Sequence, residues 1–183
     1  MKKFAVKMTS ILIALCILTS FFTFQASAAE LSDLEKLAHT EHVTIMGVYV
    51  YNDMTITVAT SAPVCESEAE TARAETRIGG SIPVYVVDEN NNLLFNRNVK
   101  FNIDGSAGSY VFSPTAEWEY YTTNVADGVL MGASTVTRLS DTKAQHAFTW
   151  YYYDAEFRMV ATFTLDQNTG SVALTGITST RIN

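Results

Sequence analysis

The stretch Ile82 to Asp104 constrains this chain more than any other. It reads IPVYVVDENNNLLFNRNVKFNID. Two β-compatible runs flank a polar corner. In the first run, Ile82, Val84 and Val86 share one face of a strand, and Tyr85 and Val87 share the other. Both faces are apolar, so an interior strand is expected rather than a wet edge. Pro83 has no N–H for a ladder and is expected at the start of that strand. Asp88-Glu89-Asn90-Asn91-Asn92 follows. Asn tolerates positive φ and bonds its own backbone, which marks a turn. Leu93-Leu94-Phe95 is a short apolar step, and Asn96-Arg97-Asn98 is expected to form a second corner. Pairing then resumes, with Val99, Phe101 and Ile103 facing inward and Lys100, Asn102 and Asp104 outward. Such alternation belongs to a strand with one buried and one wet face, and a slip of one residue would put all three apolar side chains in water.

The rest of the chain repeats the pattern. Val43 to Tyr51 and Met54 to Thr60 read as a hairpin turned by Asn52-Asp53. Gly105 to Gly108 is a turn, and Ser109 to Ser113 a short strand. Trp118 to Val125, Val129 to Leu139, Ala147 to Tyr153, Glu156 to Asp166 and Val172 to Ile182 are further strands. Asp154-Ala155 and Gln167 to Gly170 turn the last three. Short strands at even spacing indicate a β-sandwich. The expected fold is all-β: an immunoglobulin-like sandwich of antiparallel strands spanning residues 43–183, preceded by a leader or short helix over 29–42. Ser32 and Glu35 have the spacing of a capping box for that helix, and Leu31, Leu34, Leu37 and Ala38 give it an apolar stripe. The acidic stretch Ser61 to Ser81 reads as a short helix or an irregular connection.

The corner resembles bacterial immunoglobulin-like domains of the invasin/intimin type. Their D-x-x-G-N-P-V-x-G-x-x-V-x-F pattern is matched by Asp88, Asn92, Val99 and Phe101, with Leu94 a conservative match. Asn91 stands where the family has Gly, Leu93 where it has Pro, and Asn96 where it has Gly. Asn is the residue that best replaces Gly at positive φ. Thr122 to Val129 is similar to the family's T-D-x-x-G-x-A turn, one residue longer. The resemblance implies a secreted, non-catalytic binding or adhesion module at the cell surface.

Residues 1–28 read as a secretory signal: Lys2, Lys3 and Lys7, an apolar run from Ile11 to Phe24, and Ala26-Ser27-Ala28 as a cleavage site. The run is short for a spanning helix, so a secreted chain with no membrane span is expected. Removing the three lysines leaves nine basic residues against nineteen acidic ones, moving the net charge from −7 to about −10. That balance disfavours nucleic acid and anionic membrane surfaces as partners. Cys16 leaves with the signal, so Cys65 has no partner for an internal disulfide.

No motif for a cofactor or a metal is present. His39 and His42 are spaced i,i+3, unlike the i,i+4 pair of H-E-x-x-H. Glu117 with Glu119, and Asp154 with Glu156, are paired acids of the kind a glycosidase uses, and His146 has no evident partner. A small secreted hydrolase or hydrolase inhibitor is therefore the alternative function. The aromatics are the more suggestive feature. Trp118, Tyr120, Trp150, Tyr151, Tyr152 and Tyr153 fall in two clusters that put rings on both faces of a strand. One face is core. The other is a candidate platform for a carbohydrate or protein ligand, since Trp and Tyr are frequent interface anchors.

Overall fold

The structure is a computed structural model and describes residues 32–40, 42–66, 78–114 and 118–183. The signal (1–28), Leu31, the middle of the acidic stretch (67–77), Glu41 and Glu117 lie outside the described residues.

Eleven strands are described: β1 (Thr44–Val50), β2 (Thr55–Thr60), β3 (Val64–Glu66), β4 (Ile78–Val87), β5 (Leu93–Asp104), β6 (Val111–Phe112), β7 (Glu119–Thr123), β8 (Val129–Ser140), β9 (Lys143–Tyr152), β10 (Ala155–Leu165) and β11 (Val172–Arg181). One helix, α1 (Asp33–Thr40), precedes them. All pairings are antiparallel. The strands form two sheets, a seven-stranded one containing β1 to β7 and a four-stranded one in the order β11-β10-β9-β8. The fold is thus an antiparallel all-β sandwich. Among the described strands, the first sheet is complete before the second starts, with one crossing between β7 and β8.

The sandwich interior follows from alternation. Val99, Phe101 and Ile103 are buried and Lys100, Asn102 and Asp104 are half-buried, as expected. Ile82, Val84 and Val86 pair with Val99, Arg97 and Phe95 and face the same interior. The second sheet supplies Phe148, Trp150, Phe157, Met159, Ala161 and Phe163. Phe95 meets Trp150 edge-on at 5.0 Å and Phe148 at 6.2 Å, so the two layers interlock through rings. Each fully buried side chain contributes about 1.5–3 kcal/mol before entropy is subtracted. Tyr85 and Val87 are buried on the opposite face of β4, which agrees with an interior strand.

Two expectations for β4 and β5 need correction. Asn96-Arg97-Asn98 is not a corner, because β5 runs unbroken from Leu93 to Asp104. Its residues pair on both sides, with Tyr85, Val84 and Pro83 on β4 and with Thr123, Thr122 and Tyr121 on β7. Ladder bonds on both sides outweigh the turn preference of two asparagines. Pro83 is not at a strand start but inside β4. It lies opposite the break between Thr60 of β2 and Val64 of β3, where a missing N–H leaves no ladder bond unmade. The Thr60 hydroxyl donates to its carbonyl at 2.7 Å.

The corner Asp88 to Asn92 forms as read. Asn91 adopts φ 62°. The Asp88 carboxylate accepts from the Asn90 and Asn92 amides at 2.8 Å each. The capping box also forms: the Glu35 N–H donates to the Ser32 hydroxyl, while the Ser32 N–H donates to the Glu35 carboxylate. The Ser32 N–H and then its hydroxyl, both donating to the Glu35 carboxylate, hold that carboxyl below its ordinary range. α1 docks on the corner, with the Leu34 N–H donating to Asn91 O and the Leu93 N–H to Asp33. The ends of the acidic stretch are strands: Val64, Cys65 and Glu66 pair with Ser81, Gly80 and Gly79. Among the described residues, no helix is long and apolar enough to cross a membrane.

Candidate functional site

The six aromatics separate by depth. Trp150 is fully buried and stacks on Phe157 at 4.5 Å. Trp118 is buried among Phe101, Phe112 and Phe163. Both tryptophans are therefore core, and only tyrosines reach the surface. Tyr152 shares the inward side with Trp150 and is half-buried against the core. Tyr151 lies on the other side of β9, half-buried, and its hydroxyl donates to Glu156 at 3.4 Å. That bond engages Glu156, one of the two acids of the Asp154/Glu156 pair. Tyr120 is half-exposed on β7, and Tyr153 is 68% exposed.

Tyr153 has the most unusual backbone. Because Tyr152 and Ala155 pair with each other, β9 and β10 are joined one residue earlier than the expected Asp154-Ala155 turn, by the two residues Tyr153 and Asp154. Tyr153 adopts φ 50° at the first of them. Glycine is the usual occupant of such a position, because left-handed backbone crowds a Cβ. For a bulky side chain the cost is on the order of 1–2 kcal/mol. Neighbours hold it there. The Tyr153 N–H donates to Gly128 O at 2.8 Å. Its ring lies so close over Gly128 that a Cβ there would stand 2.8 Å from the ring. Gly128 itself is at φ 82°. Tyr152 packs against Tyr153 at 4.7 Å between ring centroids. Burial, then Tyr153, Asp88 and Glu89, push the Tyr152 phenol above its ordinary value.

These contacts place four connections at one end of the sandwich. The β1–β2 turn reaches the corner through the Thr55 N–H, which donates to Glu89. The β7–β8 connection reaches β5 through the Ala126 N–H, which donates to Leu94 O. Arg181 pairs with Asp53 of the β1–β2 turn. Val125, Leu130 and Tyr153 are exposed apolar side chains there, and Asp53, Asp88, Glu89, Asp127 and Asp154 make the end acidic. A groove of about 530 Å³ opens beside it, lined by Val50, Tyr51, Asn52, Asp53, Arg181, Ile182 and Asn183.

A second polar constellation lies between the sheets. Arg97 occupies an inward position of β5 and is buried. Its Nη atoms donate to Thr122 Oγ1 and Ser134 Oγ at 2.6 Å each. The guanidinium carbon stands 4.6 Å from the Tyr120 ring centre and 5.4 Å from that of Phe148. Burial draws its pKa below the ordinary value, against a smaller opposing effect of Tyr120. His146 is fully buried beside it, with both ring nitrogens unpartnered. Desolvation, with Arg97 adding to it, lowers the imidazole to about 3. The signal for Arg97 was its parity with Phe95, Val99 and Phe101; the flanking asparagines masked it. Among the described residues no three His, Cys, Asp or Glu side chains gather as metal ligands.

No protein family, curated protein or solved structure matches this chain.

Proposed function

We propose that this protein is a secreted immunoglobulin-like binding module that contacts a protein or carbohydrate ligand through its acidic, tyrosine-bearing end. The observation that carries the reading is Tyr153. A ring held at positive φ, where Gly would fit without strain, projects into solvent. Strained residues concentrate at sites of function, and exposed tyrosine supplies contact area at little entropic cost. Asn91 at φ 62° supports the likeness of the corner to invasin/intimin-type domains, since Asn stands there for the family's Gly. The likeness is proposed for the corner and the layered architecture, not for strand order.

The test separates binding from folding. Tyr153→Gly relieves about 1–2 kcal/mol of strain and loses about 0.5–1 kcal/mol of chain entropy together with the ring's packing. Stability should therefore change by less than about 1 kcal/mol. Binding, surveyed on a glycan array and by pull-down with the mature chain, should weaken tenfold or more if Tyr153 is an anchor. Equal capture by wild type and Tyr153→Gly would place the ligand elsewhere.

A further inference from the structure

Every inward position of β5 from Phe95 to Ile103 is apolar except one, and that one carries a permanent cation. Arg97 has two of its five N–H donors in bonds to hydroxyls, and its Nε is buried with no partner. The inward side chains around it are Val84 on β4, Tyr120 and Thr122 on β7, Ser134 and Val136 on β8, and His146 and Phe148 on β9. None is an acid. Glu119 alternates with Tyr120 and so takes the outward side, as do Lys100 and Tyr121, which meet there. Among the described residues Arg97 has no ion pair. A buried charge without a counter-charge is costly, and hydroxyls and ring faces offset only part of that cost.

The surroundings are built for the charge. β8 advances three residues, from Met131 to Ser134, while β9 retreats two, from Trp150 to Phe148. This is a bulge, and bulges re-aim side chains. It turns Ser134 inward onto Arg97. A Cβ at Gly132 would stand 2.5 Å from Thr149 Oγ1, so the bulge depends on glycine. The Thr122 and Ser134 hydroxyls accept from Arg97 and keep their own O–H groups to donate. Tyr120 covers both Arg97 and His146, its ring 4.9 Å from the imidazole, and is itself 42% exposed. Its ring thus lies against both groups while part of it reaches solvent.

We propose that this β7–β8 edge of the sandwich is a binding site for a small carboxylate or oxyanion. The anion accepts side by side from Arg97 Nε and the adjacent Nη. The Thr122 and Ser134 hydroxyls donate to it, and Tyr120 swings outward to admit it. The site is separate from the turn end and independent of the function proposed for it.

The test titrates the full mature protein with acetate and, separately, with phosphate at pH 7 and constant ionic strength. Melting temperature and the Arg97 Nε–Hε NMR resonance are followed together. The expected result is a saturable rise in melting temperature, roughly 5–10 °C at a hundredfold excess over Kd. The Nε–Hε resonance should move with the same midpoint. Saturation by acetate alone makes the ligand a carboxylate; saturation by phosphate makes it an oxyanion. Arg97→Met should abolish the saturable rise, and Tyr120→Ala should increase the apparent affinity. A rise that persists in Arg97→Met overturns the proposal, as does an Nε–Hε resonance that does not move in the wild type. The second readout needs no variant, so a misfolded Arg97→Met does not decide the matter. Unchanged or weaker affinity in Tyr120→Ala overturns the role given to that side chain.

Discussion

His146 should make this protein sensitive to mild acid in a way that a single substitution removes. The imidazole is fully buried, has no hydrogen-bond partner for either nitrogen, and sits beside the Arg97 guanidinium. Its pKa falls from 6.5 to about 3 in the folded state. The folded form therefore refuses a proton that the unfolded chain accepts below pH 6.5. Stability from this group is fully present above pH 6.5 and is lost as the pH falls toward 3. Each pH unit in that window removes about 1.4 kcal/mol, so the loss by pH 5 is about 2 kcal/mol. Carboxylates contribute to acid unfolding too, but chiefly below pH 5. Urea unfolding at pH 7, 6 and 5 should show the loss in wild type. In His146→Leu the slope over that range should shrink by about one proton. Its stability at pH 7 should not fall by more than about 1.5 kcal/mol, since an orphan donor and acceptor leave the core with the ring. Equal slopes in the two proteins would mean that His146 takes its proton while folded, and the argument from burial would fail.

Phe101→Ala should lower stability by about 3–5 kcal/mol, whereas Lys100→Ala should stay within about 0.5 kcal/mol; chemical denaturation of the two variants checks the register of β5. Alanine at Trp150 should remove about 3–5 kcal/mol, while alanine at Tyr151 should cost far less, a contrast readable by thermal melting. Gly128→Ala should destabilise, because φ 82° and the Tyr153 ring both exclude a Cβ; a melting temperature equal to wild type would show that the ring does not lie there. Ser32→Ala should remove about 1 kcal/mol of local helix stability and leave the sandwich transition in place, which amide exchange over Asp33–Thr40 would report.

Much of the architecture is legible in alternation alone. Val99, Phe101 and Ile103 announce their face, and Asn91 announces its positive φ, because each depends on a local steric rule. Arg97 was misread for the opposite reason. Its flanking asparagines carry a turn preference, yet the outcome is decided by strands β4 and β7, outside any local window, which pair with it on both sides. The candidate site divides in the same way. That Trp150 and Tyr152 share a face follows from parity. That Trp118 and Trp150 are core follows only from the two sheets covering one another. Tyr153 gives no warning at all, since nothing in the letters Tyr-Asp predicts a left-handed residue in a two-residue turn. Only the fixed register of β9 against β10 forces it there.

The single crossing between the sheets also sets an order of events. β8 to β11 are consecutive hairpins, joined by Asp141-Thr142, by Tyr153-Asp154 and by the Asp166–Ser171 connection. Hairpins of this kind close in about 1–10 μs without help from distant chain. The first sheet likewise pairs largely along neighbouring strands. What neither half supplies for itself is a cover: Phe95, Phe101 and Ile103 have no partner layer until residues 129–181 arrive. The closing of one sheet over the other is therefore the step in which most of the apolar surface leaves water. A chain halted before Val129 lacks the layer that covers the interior face of β4 and β5.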